Sequence, residues 1–436
     1  MYKIEKFFIY LYLIPFALDF KGAEEGGSNI QFLLLGVVLL SGAFLLFHFV
    51  KLKSTRRLPK SIAIIIFLWW GFLISSVFTA VFNEVPMGNY IRIILPYFLT
   101  GLSILIVLQM YLKGRDLGFL LTPILWTVCI SVVWTALYAI FILKIPIATM
   151  RYQILSPLLI TLIGYAIAQI IEMKKVSKFT ITILSVCTVL IVLSVTRSTL
   201  VSIAFMILFV IIAAPLNERL QLFKKFILTL KPLILVLVIS IPAISIFREN
   251  SFNEWRERLF TQRESLGVDV TTVTRLAEYS GQLDLLFETN ATALLGRGVG
   301  SVYVWDSDYF NTISMVIDIN LLSHQTYWAN GHSLWVYSLY SGGLLFGWLV
   351  PFCALYSLVL SFKNIRKKFT FGHLENSTTI VFFCLINVAI FSATFTANPL
   401  GVRLVGVIYG LGIGLSILYF QQTKEILRVK DANQKY

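Results

Sequence analysis

The chain has 436 residues, of which 58% are hydrophobic and only 13% charged, and a mean hydropathy of +0.82. A soluble domain carries roughly 25% charged residues, so a freely soluble globular fold is excluded. The formal net charge of +14 would suit a nucleic-acid partner only if it were gathered on one exposed surface.

Runs of about 20 mainly apolar residues, the length that spans a bilayer, recur along the chain. They lie near 4–18, 30–50, 61–82, 91–112, 117–143, 154–172, 178–196, 198–215, 227–247, 334–361, 378–396 and 402–421. The first follows Lys3 and Lys6 and has no small-residue cleavage site after it, which predicts a signal anchor. Only Thr196-Arg197-Ser198 separates the seventh from the eighth. The expected fold is an all-α integral membrane protein of about twelve transmembrane helices with one large loop containing short helices. Its parts are helices one to nine over 1–247, the loop over 248–333, and helices ten to twelve with a polar tail over 334–436.

An even number of spans puts both termini on one side. With that side cytoplasmic, the cytoplasmic segments hold 24 Lys and Arg against 7 Asp and Glu, and the opposite segments hold 12 against 15. This is the positive-inside pattern, so the basic excess is topological and nucleic acid is not expected as a partner. Cytoplasmic cations are mostly Lys, 18 to 6, whereas the other side has ten Arg against Lys21 and Lys144. Orientation needs either cation; a preference for Arg points to bidentate contact with phosphate or carboxylate, or else is a bias of small numbers. Cys129, Cys187, Cys353 and Cys384 fall in spans, and the four His are scattered, so neither a disulfide framework nor a metal site is expected.

In the loop, 253–262 reads as an amphipathic helix near the membrane surface. A second is predicted over Val273 to Thr289, with Leu276, Tyr279, Leu283, Leu286 and Phe287 as its apolar positions and Thr274 as N-cap. Gly296, Gly298 and Gly300 follow around Arg297. Without a preceding strand they are not a nucleotide fold; they form either a tight turn whose N–H groups approach phosphate or an ordinary flexible loop. The aromatic-rich stretch with Trp305, Tyr309, Tyr327 and Trp328 suits sugar stacking or interface anchoring.

The loop ends in Asn330-Gly331-His332-Ser333. His332, at the head of a span, either acts as a base or hydrogen-bond donor or is an interfacial imidazole satisfied by backbone or headgroups. Arg197, between two apolar runs, is costly at that depth and therefore a functional candidate, with snorkelling as the alternative. Arg275 and Arg297 add two guanidinium groups, and Arg403, at the start of the last span, is a candidate for a further phosphate contact. Glu278, Asp284, Glu288, Asp306 and Asp308 offer carboxylates whose spacing alone is weak evidence for a base or metal ligand.

The stretch from Thr274 to Trp348 reads T-R-L-x-x-Y, then L-L-G-R-G-V-G-S, then N-G-H-S-L-W-V-Y-S-L-Y-S-G-G-L-L-F-G-W. With V-T-R-S-T around Arg197 and the layout of spans, it resembles the O-antigen ligase and polymerase-like family of bacterial envelope glycosyltransferases. Ser333 stands where the family usually has Asn, and Ser341 where an acidic residue is common before the Gly step. The resemblance implies a GT-C-like, metal-independent enzyme without a cofactor, in the bacterial inner membrane with its large loop periplasmic. Its donor would be an undecaprenyl-diphosphate-linked oligosaccharide and its acceptor a glycan or glycolipid, with a chain-length regulator protein as a further partner. Arg197 and Arg275 would hold the diphosphate, with Arg297, Arg403, Gly298 and Gly300 as additional binding positions, and His332 would orient or deprotonate the acceptor hydroxyl. Polymerisation of O-antigen or another surface polysaccharide is the leading expectation. Ligation to lipid A–core is the alternative within the family, and a lipid-linked glycan flippase the alternative outside it.

Overall fold

The computed structural model describes residues 3–19, 29–144, 154, 156–172, 178–194, 197–228, 238, 270–314, 329–370, 377–395 and 397–433. The regular elements among them are helical. They are α1 Lys3–Ala17, α2 Asn29–Lys51, α3 Lys60–Phe82, α4 Met87–Leu112, α5 Leu121–Leu137, α6 Ser156–Glu172, α7 Lys178–Ser194 and α8 Arg197–Ala213. After a helical stretch at 216–228 come α9 Val270–Leu286, α10 Asn290–Leu295, α11 Phe310–Ser314, α12 Leu334–Phe346, α13 Leu349–Thr370, α14 Ser377–Ala393 and α15 Arg403–Asn433.

Among the described residues six helices are long and apolar enough to cross a membrane: Ile30–Lys51, Lys60–Phe82, Met87–Leu112, Leu117–Ile142, Leu349–Phe369 and Arg403–Glu425. The protein is membrane-embedded. Shorter apolar helices cover the expected sixth, seventh, eighth and eleventh spans, whereas the ninth and the amphipathic segment 253–262 lie largely or wholly outside the described residues.

The central helix is α15, with 94% of its most apolar window buried, against 22% for the peripheral α2. Gly406, Gly410 and Gly414 lie at four-residue intervals and present α15 to Pro96, Thr100 and Val107 of α4 with no room for a Cβ. Thr100 Oγ1 donates across the seam to the Gly406 carbonyl at 2.9 Å. In lipid, where apolar surface gives no preference for helix over solvent, such small-residue contact is what holds two helices together.

The expected span 334–361 is two helices. Gly343 has φ +63° and ψ −168°, which ends the first run inside α12, and the chain turns before α13. The break would orphan the carbonyls of Tyr340 and Ser341, whose partners in an unbroken helix are residues 344 and 345. They accept instead from the N–H groups of Arg297 and Gly298, at 2.8 and 2.9 Å. Gly296 and Gly343 face each other backbone to backbone, and a Cβ on either would overlap the other.

The two ends of the bundle carry different polar clusters. At one end, buried Glu5 receives Arg115 at 2.6 Å and His48 at 3.2 Å, Arg56 pairs with Glu425 at 3.1 Å, and Lys368 pairs with Glu172. At the other end Asp19 meets Arg403 at 3.3 Å, and the α3–α4 turn, the turn at Pro399–Gly401 and α9–α12 gather round it.

Candidate functional site

α9 buries only part of the face expected of it: Leu286 is fully buried and Leu283 packs against the core. Leu276 is 45% exposed and Phe287 55%, and the inward face carries Val273, Ala277, Glu278, Gln282 and Leu286. Glu278 and Gln282 are fully buried. The helix starts at Val270, so Thr274 lies inside it and is not its N-cap. A buried carboxylate is tolerable only with compensating donors, and α9 turns this way because the donors are there.

Glu278 Oε1 accepts the backbone N–H of His332 at 2.6 Å, the Tyr303 hydroxyl at 2.9 Å and Gln282 Nε2 at 3.4 Å. Oε2 takes His332 Nδ1 at 2.7 Å and Arg275 Nη1 at 3.2 Å. Burial pushes the Glu278 carboxyl up, but the hydrogen bonds and charge of His332 together with Arg275 outweigh it, and the net shift is downward. The carboxylate is therefore ionised. Burial and the neighbouring Glu278 charge push the Tyr303 hydroxyl up, so it remains a donor.

The His332 segment is fixed from several sides. The single Tyr303 O–H is shared between Glu278 and the Asn330 carbonyl, 3.1 Å away, and Tyr337 donates to the Ala329 carbonyl at 2.9 Å. Asn398 Nδ2 reaches both Asn330 Oδ1 and the Tyr97 hydroxyl. Gly331 is required by crowding: a Cβ there would sit 2.7 Å from Tyr337 Cβ and 2.9 Å from Gln282 Nε2. Ser333 caps α12 by accepting from Val336 N–H, a structural use for the residue that departs from the family pattern. The His332 side chain is 37% exposed, so the ring is held at its root and reaches the surface of the site.

Arg275 and His332 are thus brought together. Arg275 is 27% exposed and its Nε is buried with no hydrogen-bond partner among the described residues. Arg197 heads α8 on the same end of the bundle. Trp335 of α12 meets Phe391 of α14 at 5.9 Å, and Phe391 stacks on Phe205 of α8 at 6.3 Å. Further along α8, Phe209 meets Phe362 of α13, next to Ser361, which is bonded to Asn387 deeper in α14. α8 therefore runs antiparallel to α14, and the start of α12 is level with Phe205, about two turns inward of Arg197.

The other expected binding residues have different employment. Arg297 donates through Nε to the Leu285 carbonyl at 2.8 Å and pairs with Glu288, capping the end of α9. Gly298 N–H goes to Ser341 and Gly300 N–H to the Tyr337 hydroxyl at 3.0 Å, so a phosphate cradle through these donors is not what the turn builds. Arg403 pairs with Asp19, beside the Gly401 turn that abuts Asn330. Asp306 caps a turn and accepts from Ser280 at 2.7 Å. Tyr327 and Trp328 lie outside the described residues, and Trp305 packs partly buried against the core.

Glu278 is the residue that spacing undervalued. Arg275 and Glu278 at i and i+3 look like a solvated helix pair, and the signal that distinguishes them is the arrival of Tyr303 and His332 from later in the chain. Comparison with protein-family models and with curated proteins returned no match to this chain.

Proposed function

We propose that this membrane protein is a glycosyltransferase that polymerises lipid-linked oligosaccharide units. In this reading it transfers an undecaprenyl-diphosphate-linked glycan to a sugar hydroxyl of another lipid-linked unit at the periplasmic face of the inner membrane. The observation that carries it is the meeting of Arg275 and His332 on one buried carboxylate at the end of a transmembrane bundle. A base held by a carboxylate beside a guanidinium suits displacement of a diphosphate by a hydroxyl.

In the step proposed, the acceptor oxygen attacks the anomeric carbon as the bond from that carbon to the diphosphate oxygen breaks. The acceptor proton goes to His332 Nε2, because Nδ1 is engaged with Glu278. The bond electrons leave with the polyprenyl diphosphate, whose charge Arg275 and Arg197 stabilise, and the anomeric centre inverts. Ligation to lipid A–core uses the same groups and stands as the second reading. A flippase would need charged groups along a path; among the described residues the long apolar helices carry their Asp, Glu, Lys, Arg and His side chains towards their ends.

The test is the glycan profile of a deletion strain complemented with wild type, His332→Ala or Arg197→Ala. Single repeat units on lipid A–core without a ladder support the polymerase. Lipid A–core alone, with long polymer retained on the carrier, supports the ligase. An unchanged profile with both variants present in the membrane overturns glycosyl transfer.

A further inference from the structure

Glu278 divides its work between its two oxygens. Oε1 meets the loop: the His332 backbone N–H, the Tyr303 hydroxyl and Gln282. Oε2 meets the chemistry: the His332 ring and the Arg275 guanidinium. If the group only anchored the loop, Oε1 alone would suffice. Instead a fully buried charge, costly to desolvate, lies 2.7 Å from the ring nitrogen of an imidazole that is itself partly exposed.

We propose that Glu278 is the positioning residue of the transfer reaction. It accepts the Nδ1 proton of His332, so that Nε2 is the nitrogen that gives up and takes the second proton, and it keeps Arg275 beside the same ring. The proposal builds on the glycosyl-transfer reading above. An imidazole is a base at one nitrogen only when the other holds its proton, and the acceptor of that proton selects the tautomer. Glu278 gives up no proton and touches no substrate; during transfer its charge stabilises the imidazolium that forms.

Glu278→Gln separates anchoring from tautomer selection. The amide has one oxygen, and three donors converge on the Oε1 position, so the amide oxygen takes that place and keeps the loop. The amide NH2 then occupies the Oε2 position, where it donates to Nδ1 and drives the ring proton to Nε2. The fold survives with the wrong tautomer.

The experiment uses the full-length protein in detergent with lipid-linked glycan extracted from a strain lacking it. Wild type, Glu278→Gln, His332→Ala and the double variant are compared for kcat and KM, and ¹⁵N-histidine spectra report the ring tautomer. Expected are a kcat loss of about 10²- to 10⁴-fold in Glu278→Gln, a much smaller further loss when Glu278→Gln is added to His332→Ala, left by the freed Arg275 alone, and a ring proton that moves from Nδ1 to Nε2. Losses that multiply in the double variant, or unchanged kcat in Glu278→Gln, would overturn the proposal. If the wild type transfers nothing, the glycosyl-transfer reading fails, and the spectra still decide the tautomer claim: an unmoved ring proton sinks it.

Discussion

Glu278 accepts both the backbone N–H and the ring Nδ1 of His332, at 2.6 and 2.7 Å, so one carboxylate sets both the position and the rotation of the imidazole. Two contacts to one residue remove the freedom that a single hydrogen bond would leave. Arg275, 3.2 Å from the same carboxylate, is held in register with the ring. The consequences for catalysis and for stability can be measured separately.

In the proposed mechanism, removing the ring removes the base. His332→Ala should lower transfer by about 10²- to 10⁴-fold while the protein still reaches the membrane. Arg275→Ala should also abolish polymer, and in purified protein it should weaken donor binding as well as slow transfer. In vitro rates across donor concentrations check both. Normal polymer from Arg275→Ala would sink its role at the diphosphate.

Acid should reach the site through Glu278. Its carboxyl is depressed in the folded protein, so the stability it contributes is complete above the unfolded carboxylate range. That contribution is lost as pH falls through the lower native value. Thermal unfolding in detergent should therefore show wild type more stable than Glu278→Ala at neutral pH, by up to about 3 kcal/mol, with the gap closing in strong acid. A gap that widens on acidification would contradict the downward shift.

The break at Gly343 is a second sensitive point. Gly343→Ala forces a side chain into φ +63° and against Gly296. A loss of about 2 kcal/mol or more is expected from strain and overlap together. Transfer should fall in whatever protein still folds, since displacing α10 and α9 moves Glu278 relative to His332. Melting temperature and specific activity measured on the same preparation distinguish the two effects.

Arg297→Ala should behave otherwise. Its partners are the Leu285 carbonyl and the exposed Glu288, so the cost is about 1 kcal/mol of stability. Activity per folded molecule should stay close to wild type. A large fall in kcat at unchanged stability would return Arg297 to the chemistry.

Hydropathy located α3 and α4 closely: the run 61–82 became Lys60–Phe82, and 91–112 became Met87–Leu112. It was blind to the division of 334–361, because apolar residues flank Gly343 on both sides and a dihedral angle leaves no trace in hydrophobicity. The Gly296–Gly300 run was legible as a turn, but its acceptors, Tyr340 and Ser341, lie more than forty residues on and exist only because α12 breaks. Arg275 and His332 were legible as candidates, and their meeting on one carboxylate was not. Glu278 was not: its burial depends on Tyr303 and His332 folding back onto α9, and helical spacing alone describes a surface ion pair.

α15 also acts as a calliper. Its apolar stretch, Arg403–Glu425, has 23 residues and is about 33 Å long, close to the roughly 30 Å thickness of bilayer hydrocarbon. Its two ends are pinned by ion pairs, Arg403 to Asp19 and Glu425 to Arg56. The helix therefore gauges how deep the whole bundle rides. The Gly401 turn touches Asn330, so the imidazole travels with the Arg403 end of that helix, and any change in how deep α15 sits is passed on to His332.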